Sequence, residues 1–342
     1  MSRVLVGMSG GVDSSVAAYL LKKEGYEVVG VTMTLFNPKN PSTQIEDAQK
    51  VCKKLGIEHH IVDYRQEFKK EVVGNFINNY LNGKTPNPCV VCNKKFKFGL
   101  LWQKALELNC KYIATGHYAD IKDGHICKMD SPKDQSYFLY QIDKKIINNI
   151  LFPLNKYPNK NEIRNIAKKE NLVEVSEKKD SQDICFIEEK DYSTFLEENL
   201  NILPPQGDFI LTNGEVIGKH KGIIYYTIGQ RKGLGISYKY PLYVIEIDKQ
   251  NNQIILGKEE DLYSKTIYIT DTNILVDTLP KKAQGKIRYK SPLLSCNIEI
   301  INNNNLKIIF NEPVRSATPG QSLVLYDNDI LLGGGIIEKV EK

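Results

Sequence analysis

Short apolar runs alternate with helical stripes through the first half of the chain. Residues 3–8 form an apolar run suited to a strand buried on both faces, and a glycine-rich turn over 7–11 follows it. Val16, Ala17, Leu20 and Leu21 then repeat at helical spacing across 13–23. The alternation continues with a valine-rich strand over 27–34, a helix over 43–55 and a strand over 59–62. A helix over 67–81 follows, with Phe68, Val72, Phe76 and Tyr80 on one stripe. Gly83, Pro86 and Pro88 punctuate a loop over 82–91. Beyond it come a helix over 96–108, a strand over 112–115, and helices over 161–170 and 192–198, the last with Asp191 as its N-cap. Such alternation predicts a mostly parallel sheet covered on both faces.

The pattern changes near Pro204-Pro205. Short extended segments follow at 208–211, 223–227, 242–248, 253–257, 266–270, 284–289, 293–300, 306–310 and 322–326, separated by Gly, Asn and Asp. This is an all-β pattern of two small barrel-like modules, divided near residue 272. The expected domains are therefore 1–204, 205–272 and 273–342. No repeat of fixed period is visible, and the asparagine tract 302–305 reads as an exposed hairpin turn.

The composition agrees with a soluble globular chain: of 342 residues, 41% are hydrophobic and 25% charged, which excludes a disordered or collagen-like protein. Lys+Arg 46 against Asp+Glu 41 gives a net charge of +5, which permits an acidic partner such as RNA without requiring one. No apolar run approaches the ~20 residues of a membrane span, and the first residues lack the apolar core of a signal peptide. A cytoplasmic location, no membrane partner and a monomeric state are the expectations. The seven cysteines are an odd number in a long chain without a secretion signal, so a structural disulfide framework is not expected.

Two stretches carry chemistry. Ser9-Gly10-Gly11-Val12-Asp13-Ser14 follows a strand and opens a helix. Such a loop turns backbone N–H groups and the positive end of a helix towards an anion, while its glycines admit phosphates closely. It is not a Walker-type loop, because it holds no lysine. The second stretch is Thr85-Pro86-Asn87-Pro88-Cys89-Val90-Val91-Cys92-Asn93-Lys94. Its prolines precede a helix start, which would put Cys92 near a helix N-terminus where a thiolate is stabilised. Cys89-x-x-Cys92 has metal or redox spacing, but no second such pair completes a four-cysteine site. Cys185, in a polar-to-apolar stretch 93 positions later, reads on its own rather as a buried packing cysteine than as a reactive one.

Taken together, these strings resemble a known family. Ser-Gly-Gly-x-Asp-Ser looks like the pyrophosphatase-type (PP) loop of ATP-dependent adenylating enzymes. Further matching strings are Thr85 to Pro88 with Cys92-Asn93-Lys94, Ala114-Thr115-Gly116-His117-Tyr118, Lys133 to Leu139, Asp180 to Ile187, Tyr226 to Gly235, Arg288-Tyr289 and Glu312 to Gln321. They span nearly the whole chain and resemble the bacterial-type tRNA-specific 2-thiouridylases, the U34 thiolases. The resemblance implies an α/β, Rossmann-like adenine nucleotide alpha hydrolase (PP-loop) domain with a parallel sheet. Two small mostly-β domains would follow, the last a β-barrel. It implies an enzyme that adenylates O2 of uridine 34 in tRNA(Lys), tRNA(Glu) and tRNA(Gln) with ATP, accompanied by Mg²⁺, and then installs sulfur. Cys185 would carry a persulfide received from a cysteine desulfurase or sulfur-relay protein. Cys92 would be the nucleophile that closes a transient disulfide with it. Gly7, Met8, Ser9, Gly10, Gly11, Val12, Asp13, Ser14, Met33 and Gly116 would contact ATP. Asn87, Pro88 and Cys89 would border the target base. His117, Lys133, Asp134, Gln135, Arg288, Tyr289 and Gln321 would contact tRNA.

One position departs from many relatives, which carry aspartate where this chain has Cys89. That cysteine raises a second scheme, in which Cys89, Cys92 and Cys185 ligate a [4Fe-4S] cluster whose open iron delivers sulfide. The other readings are a different adenylating ligase, which would need neither both cysteines nor RNA, and a non-catalytic RNA-binding protein with a degenerate loop.

Overall fold

The structure is a computed structural model that describes residues 1–37, 41–172, 184–187 and 191–341. It divides into two compact units, residues 1–72, 89–186 and 328–331 in the first, and 73–88, 187–327 and 332–342 in the second.

The first unit is built on a five-stranded parallel sheet. Its strands are β1 (Arg3–Gly7), β2 (Glu27–Thr34), β3 (Glu58–Asp63), β4 (Tyr112–Ala114) and β7 (Ile150–Leu151), in the order β3-β2-β1-β4-β7. Val4, Leu5 and Val6 are wholly buried because β1 is central. Burial of such side chains contributes about 1.5–3 kcal/mol each. Against one face pack α1 (Val12–Lys23), α2 (Pro41–Leu55) and α7 (Lys160–Lys169), which share a single core with Val4 and Val6. Asp13 in the first turn of α1 and Lys22 and Lys23 in its last complement the helix dipole. The chain leaves β1 towards β2 on one side, while β4 pairs with β1 on the other, Val6 lying opposite both Gly30 and Ala114. The order therefore reverses between β1 and β4, and the turns after those two strands meet at the carboxyl edge where open α/β sheets bind ligands.

A continuous helical run carries the two-cysteine motif. It comprises α5 (Pro88–Cys92), a π-helical stretch Asn93–Leu100 and α6 (Leu101–Glu107). Pro88 occupies the first helical position, where its missing N–H costs nothing. The run begins eight residues earlier than apolar periodicity suggests, because a π-helical stretch shifts that periodicity. The hairpin of β5 (Asp120–Lys122) and β6 (His125–Cys127) and the two-residue β7 were not foreseen; they are too short to show a pattern.

The second unit holds two β structures. One is a four-stranded sheet of β8 (Gly207–Leu211), β9 (Val216–His220), β10 (Tyr243–Asp248) and β11 (Gln253–Gly257), in the order β10-β11-β8-β9. The expected strand over 223–227 is instead a buried short turn. Gly222 at φ +133° breaks the extended chain, and Ile223, Ile224, Tyr225 and Tyr226 pack inward. The other structure is a closed ring of β12 (Tyr263–Ile274), β15 (Asn305–Arg315), β14 (Leu294–Asn302), β13 (Lys282–Lys286), β16 (Ser322–Asp327) and β17 (Ile330–Glu341), closed by pairing β12 with β17. The last strand was not expected because Gly333-Gly334-Gly335 interrupts its apolar pattern; the asparagine tract is the turn between β14 and β15. Asp191 caps the helix Tyr192–Asn199 by accepting from the Ser193 and Thr194 N–H groups. Among the described residues no helix is long and apolar enough to cross a membrane.

Candidate active site

The loop after β1 is held from within. The Ser9 N–H donates to Ser14 Oγ at 3.2 Å, and the Ser14 and Ser15 hydroxyls donate to the Gly11 carbonyl at 3.1 and 2.8 Å. Gly10 has φ +69°, and a Cβ there would fall on the Gln44 carbonyl. No side chain caps the N-terminus of α1, so its first N–H groups are left to an anion. Gly116, in the turn after β4, presses on the same helix start: a Cβ would lie 2.8 Å from Asp13 C and Ser14 N. Met33 is half-buried at the carboxyl end of β2, opposite Val62.

The lysine absent from the loop arrives from α7. Lys160 Nζ lies 2.8 Å from Asp13 Oδ2, and Tyr118 Oη donates to Asp13 Oδ1 at 2.9 Å. The two charged side chains are 13% and 28% exposed, so this is a partly buried pair. A cation at the first position of α7 opposes that helix's dipole, so the helix itself gains nothing from it. Lys160 does not stand out in the sequence. The only local signal is a lysine at a helix start, and its partner is 147 positions away.

Several residues expected to face tRNA are spent on internal bracing. His117 is 7% exposed and shares a 2.8 Å hydrogen bond between Nδ1 and Thr115 Oγ1. Burial, then Lys97, holds its pKa well below the ordinary range, so the ring is neutral. Gln135 pairs with the Tyr118 backbone in both directions, at 3.0 and 2.7 Å. Asp134 accepts from the Met129 N–H at 3.0 Å and the Ser136 hydroxyl at 2.8 Å. Lys133 is exposed. In the second unit Arg288 donates to the Ile228 and Ser316 carbonyls at 3.2 and 2.9 Å and to Thr318 Oγ1 at 2.5 Å. Tyr289 is half-buried with Lys286 over its ring.

Cys92 lies one turn inside its helical run and is 7% exposed. This corrects the expectation of a stabilised thiolate at a helix start, because burial raises its thiol, and the nearby Lys97 opposes that only in part. Asn93 is anchored by its Nδ2 to the Phe138 carbonyl, and Lys94 Nζ by Gln141 Oε1 at 2.8 Å. Asn87 is half-buried and Pro88 buried. Cys89 and Cys185 open to solvent at their surfaces but are recessed among protein atoms, which raises both thiols, Cys185 to about 12. Cys185 also feels Cys92, then Cys89, as neighbouring charges, and all three feel Lys97. The three cysteines and Lys97 thus share one electrostatic neighbourhood. Aromatic packing brings them there: Phe186 stacks edge-on to Phe68 at 5.8 Å, and Phe68 to Phe96 at 5.4 Å, four residues after Cys92. The string 180–183 lies outside the described residues.

The cluster scheme finds no ligand set. Among the described residues no three His, Cys, Asp or Glu side chains converge as metal ligands, although Cys89, Cys92 and Cys185 are all described. All seven cysteines are free thiols.

A parallel sheet with a phosphate-ready loop at its switch point, carrying thiols in the same unit, defines an ATP-using α/β domain of the HUP class. Residues 2–189 match the family described as tRNA methyl transferase HUP domain. Residues 193–258 match its PRC-barrel domain, and 264–337 the aminomethyltransferase beta-barrel domain. The tRNA-specific 2-thiouridylase of Clostridioides difficile is 44% identical over 98% of this chain and 98% of its own length, and that of Halothermothrix orenii 45% over 99% of each. Among solved structures, a 4-thiouridine synthetase–RNA complex with bound ATP is similar at a TM-score of 0.40 and 20% identity, covering 52% of this chain and 43% of that one. The chain belongs to the tRNA-specific 2-thiouridylase family.

Proposed function

We propose that this protein activates uridine 34 of tRNA(Lys), tRNA(Glu) and tRNA(Gln) with ATP and replaces its O2 by sulfur. The observation that supports the reading is that Cys92 and Cys185, 93 positions apart, fall in one electrostatic neighbourhood of the unit that also holds the phosphate loop. The loop N–H groups and the start of α1 receive the phosphates of ATP, entering as its Mg²⁺ salt, and Met33 and Gly116 border the nucleotide. Attack by O2 on the α-phosphorus expels pyrophosphate, and the poor carbonyl leaving group becomes AMP.

Sulfur reaches Cys185 as a persulfide from a cysteine desulfurase or relay protein. The terminal persulfide sulfur attacks C2. Cys92 thiolate then attacks the Cys185 sulfur, so one S–S bond forms as another breaks and the transferred sulfur keeps the electron pair. AMP leaves as C=S forms, and an external thiol reductant resets the Cys92–Cys185 disulfide. Asn87, Pro88 and Cys89 border the base, which must swing out of its stack. Lys133 and Tyr289 contact the tRNA, while His117, Asp134, Gln135 and Arg288 shape the surfaces that carry them.

The test is thiolation of unmodified tRNA by protein purified without oxygen, with iron and acid-labile sulfide measured on the same sample. ATP-dependent 2-thiouridine from iron-free protein given a persulfide donor is the expected result. Activity that vanishes on removing a stoichiometric cluster would replace the persulfide route, and absence of tRNA-stimulated pyrophosphate release would sink the whole reading.

A further inference from the structure

Gln321 was expected to face tRNA, yet its side chain is turned to the protein. Its Nε2 donates to the Thr85 and Pro86 carbonyls at 3.1 and 3.3 Å. The Thr85 N–H returns a hydrogen bond to the Pro319 carbonyl at 2.9 Å. Between them Gly320, at φ +94°, lies so close that a Cβ would stand 2.9 Å from both Thr85 N and O. The turn making these contacts is itself fixed to β17, the Gly320 N–H donating to the Ile337 carbonyl and the Ile337 N–H to the Gln321 carbonyl, each at 2.8 Å.

The gripped segment cannot be held by ordinary means. Pro86 and Pro88 have no N–H, so residues 85–88 cannot join a β-ladder, and their carbonyls need donors from elsewhere. Pro88 is the first residue of α5, whose last is Cys92. Wherever Thr85 and Pro86 are set, the start of the cysteine helix is set two residues on.

We infer that Gln321 is a positioning residue for sulfur transfer: the barrel turn 318–321 clasps the segment that aims the Cys92 helix. This rests on the function proposed above. A loosened clasp leaves adenylation intact but slows attack by the cysteines, so water takes the activated base. Uridine is then regenerated with release of AMP, and pyrophosphate is formed without 2-thiouridine.

The experiment compares wild type with Gln321→Met, which keeps the length and removes the donor. Three quantities are read: tRNA affinity, pyrophosphate released per 2-thiouridine formed, and the alkylation rate of Cys92 resolved by peptide mass spectrometry. The inference expects tRNA affinity within about twofold, a severalfold rise in the pyrophosphate ratio, and faster Cys92 alkylation. An unchanged ratio, or weakened tRNA binding with the ratio unchanged, would overturn it. Should Gln321→Met melt early, Gln321→Asn, one methylene too short to span the gap, is read the same way. Cys92 alkylation needs neither ATP nor tRNA. An unaltered rate therefore refutes the clasp even if the wild type proves to have another activity, and an inactive wild type with an altered rate refutes only the activity.

Discussion

The phosphate loop and the cysteine neighbourhood belong to the same unit but are built by opposite means. The loop is polar, braced by its own serines and by Asp13, Tyr118 and Lys160, and its charge is balanced before any ligand arrives. The cysteines sit among aromatic rings, their thiols held neutral by burial, with Lys97 as the cation that all three feel. An anion site must be pre-organised and paired, whereas a sulfur site gains from staying unreactive until its substrate is in place. Nucleophilicity at the cysteines is thus withheld by desolvation, and binding at the loop is granted by geometry.

The hardest blow to the sulfur side is removal of either thiol. Cys92→Ser and Cys185→Ser should each lower 2-thiouridine formation by about 1,000-fold or more, because no other described group can take over the S–S exchange. Pyrophosphate release with tRNA should persist in both, since the loop is untouched. Full thiolation by either variant, read by nucleoside mass spectrometry, would remove the roles given to these residues.

The withheld reactivity has a pH signature of similar size. With the Cys185 thiol pushed up to about 12 from an ordinary value near 9, its thiolate at pH 8 should be about 1,000-fold scarcer than that of an unperturbed thiol. Iodoacetamide should therefore label Cys185 very slowly at pH 8, and the rate should still be climbing above pH 10. The same shift couples stability to pH, through a contribution from keeping this thiol protonated. Because the folded value lies above the unfolded one, the contribution is whole below about pH 9 and is lost as pH rises towards 12. A labelling curve with its midpoint near 8.5 would show that desolvation does not govern this thiol.

On the loop side the expected losses are smaller and fall on ATP. Lys160→Met takes the cation from the Asp13 carboxylate beside the incoming phosphates and leaves it the Tyr118 hydroxyl. The loss of one charge-assisted contact is worth about 2 kcal/mol, so the KM for ATP should rise roughly 30-fold. Gly116→Ala forces a Cβ to within 2.8 Å of the α1 backbone and should cost about 10-fold in pyrophosphate release by tilting that helix start. Wild-type ATP kinetics in both variants would mean that the loop needs no support from α7 or the turn after β4.

The two regions also differ in how much of them can be read in the chain. The loop is legible because its parts are contiguous: strand, glycines and helix start all lie within residues 3–23, and the alternation around it gives the parallel sheet. Lys160 is not legible, because a pair 147 positions apart forms only through the packing of α1 and α7. The cysteines are intermediate. Cys89-x-x-Cys92 stands out by spacing, but the residue after Cys185 finds its partner through Phe68, whose stripe looks like ordinary core. The expected helix-start thiolate failed for a local reason: Pro88 begins the helix four residues before Cys92 and carries it into the interior. The bracing of His117, Asp134, Gln135, Arg288 and Gln321 depends on carbonyls and hydroxyls, which leave no pattern in residue type.

The smallest expected effect is the one that divides the cysteines from one another. Cys89 is more open than Cys92 and belongs to no described set of three metal-ligating side chains. The proposed S–S exchange forms its bond between Cys92 and Cys185 and passes no electron pair through Cys89. Serine in its place keeps the size, weakens one raising influence on the Cys92 and Cys185 thiols, and leaves the aromatic packing untouched. Cys89→Ser should therefore change 2-thiouridine formation by less than about threefold and leave the melting temperature within roughly a degree. A loss as deep as that of Cys92→Ser would place Cys89 inside the sulfur chemistry and make the site a three-thiol device.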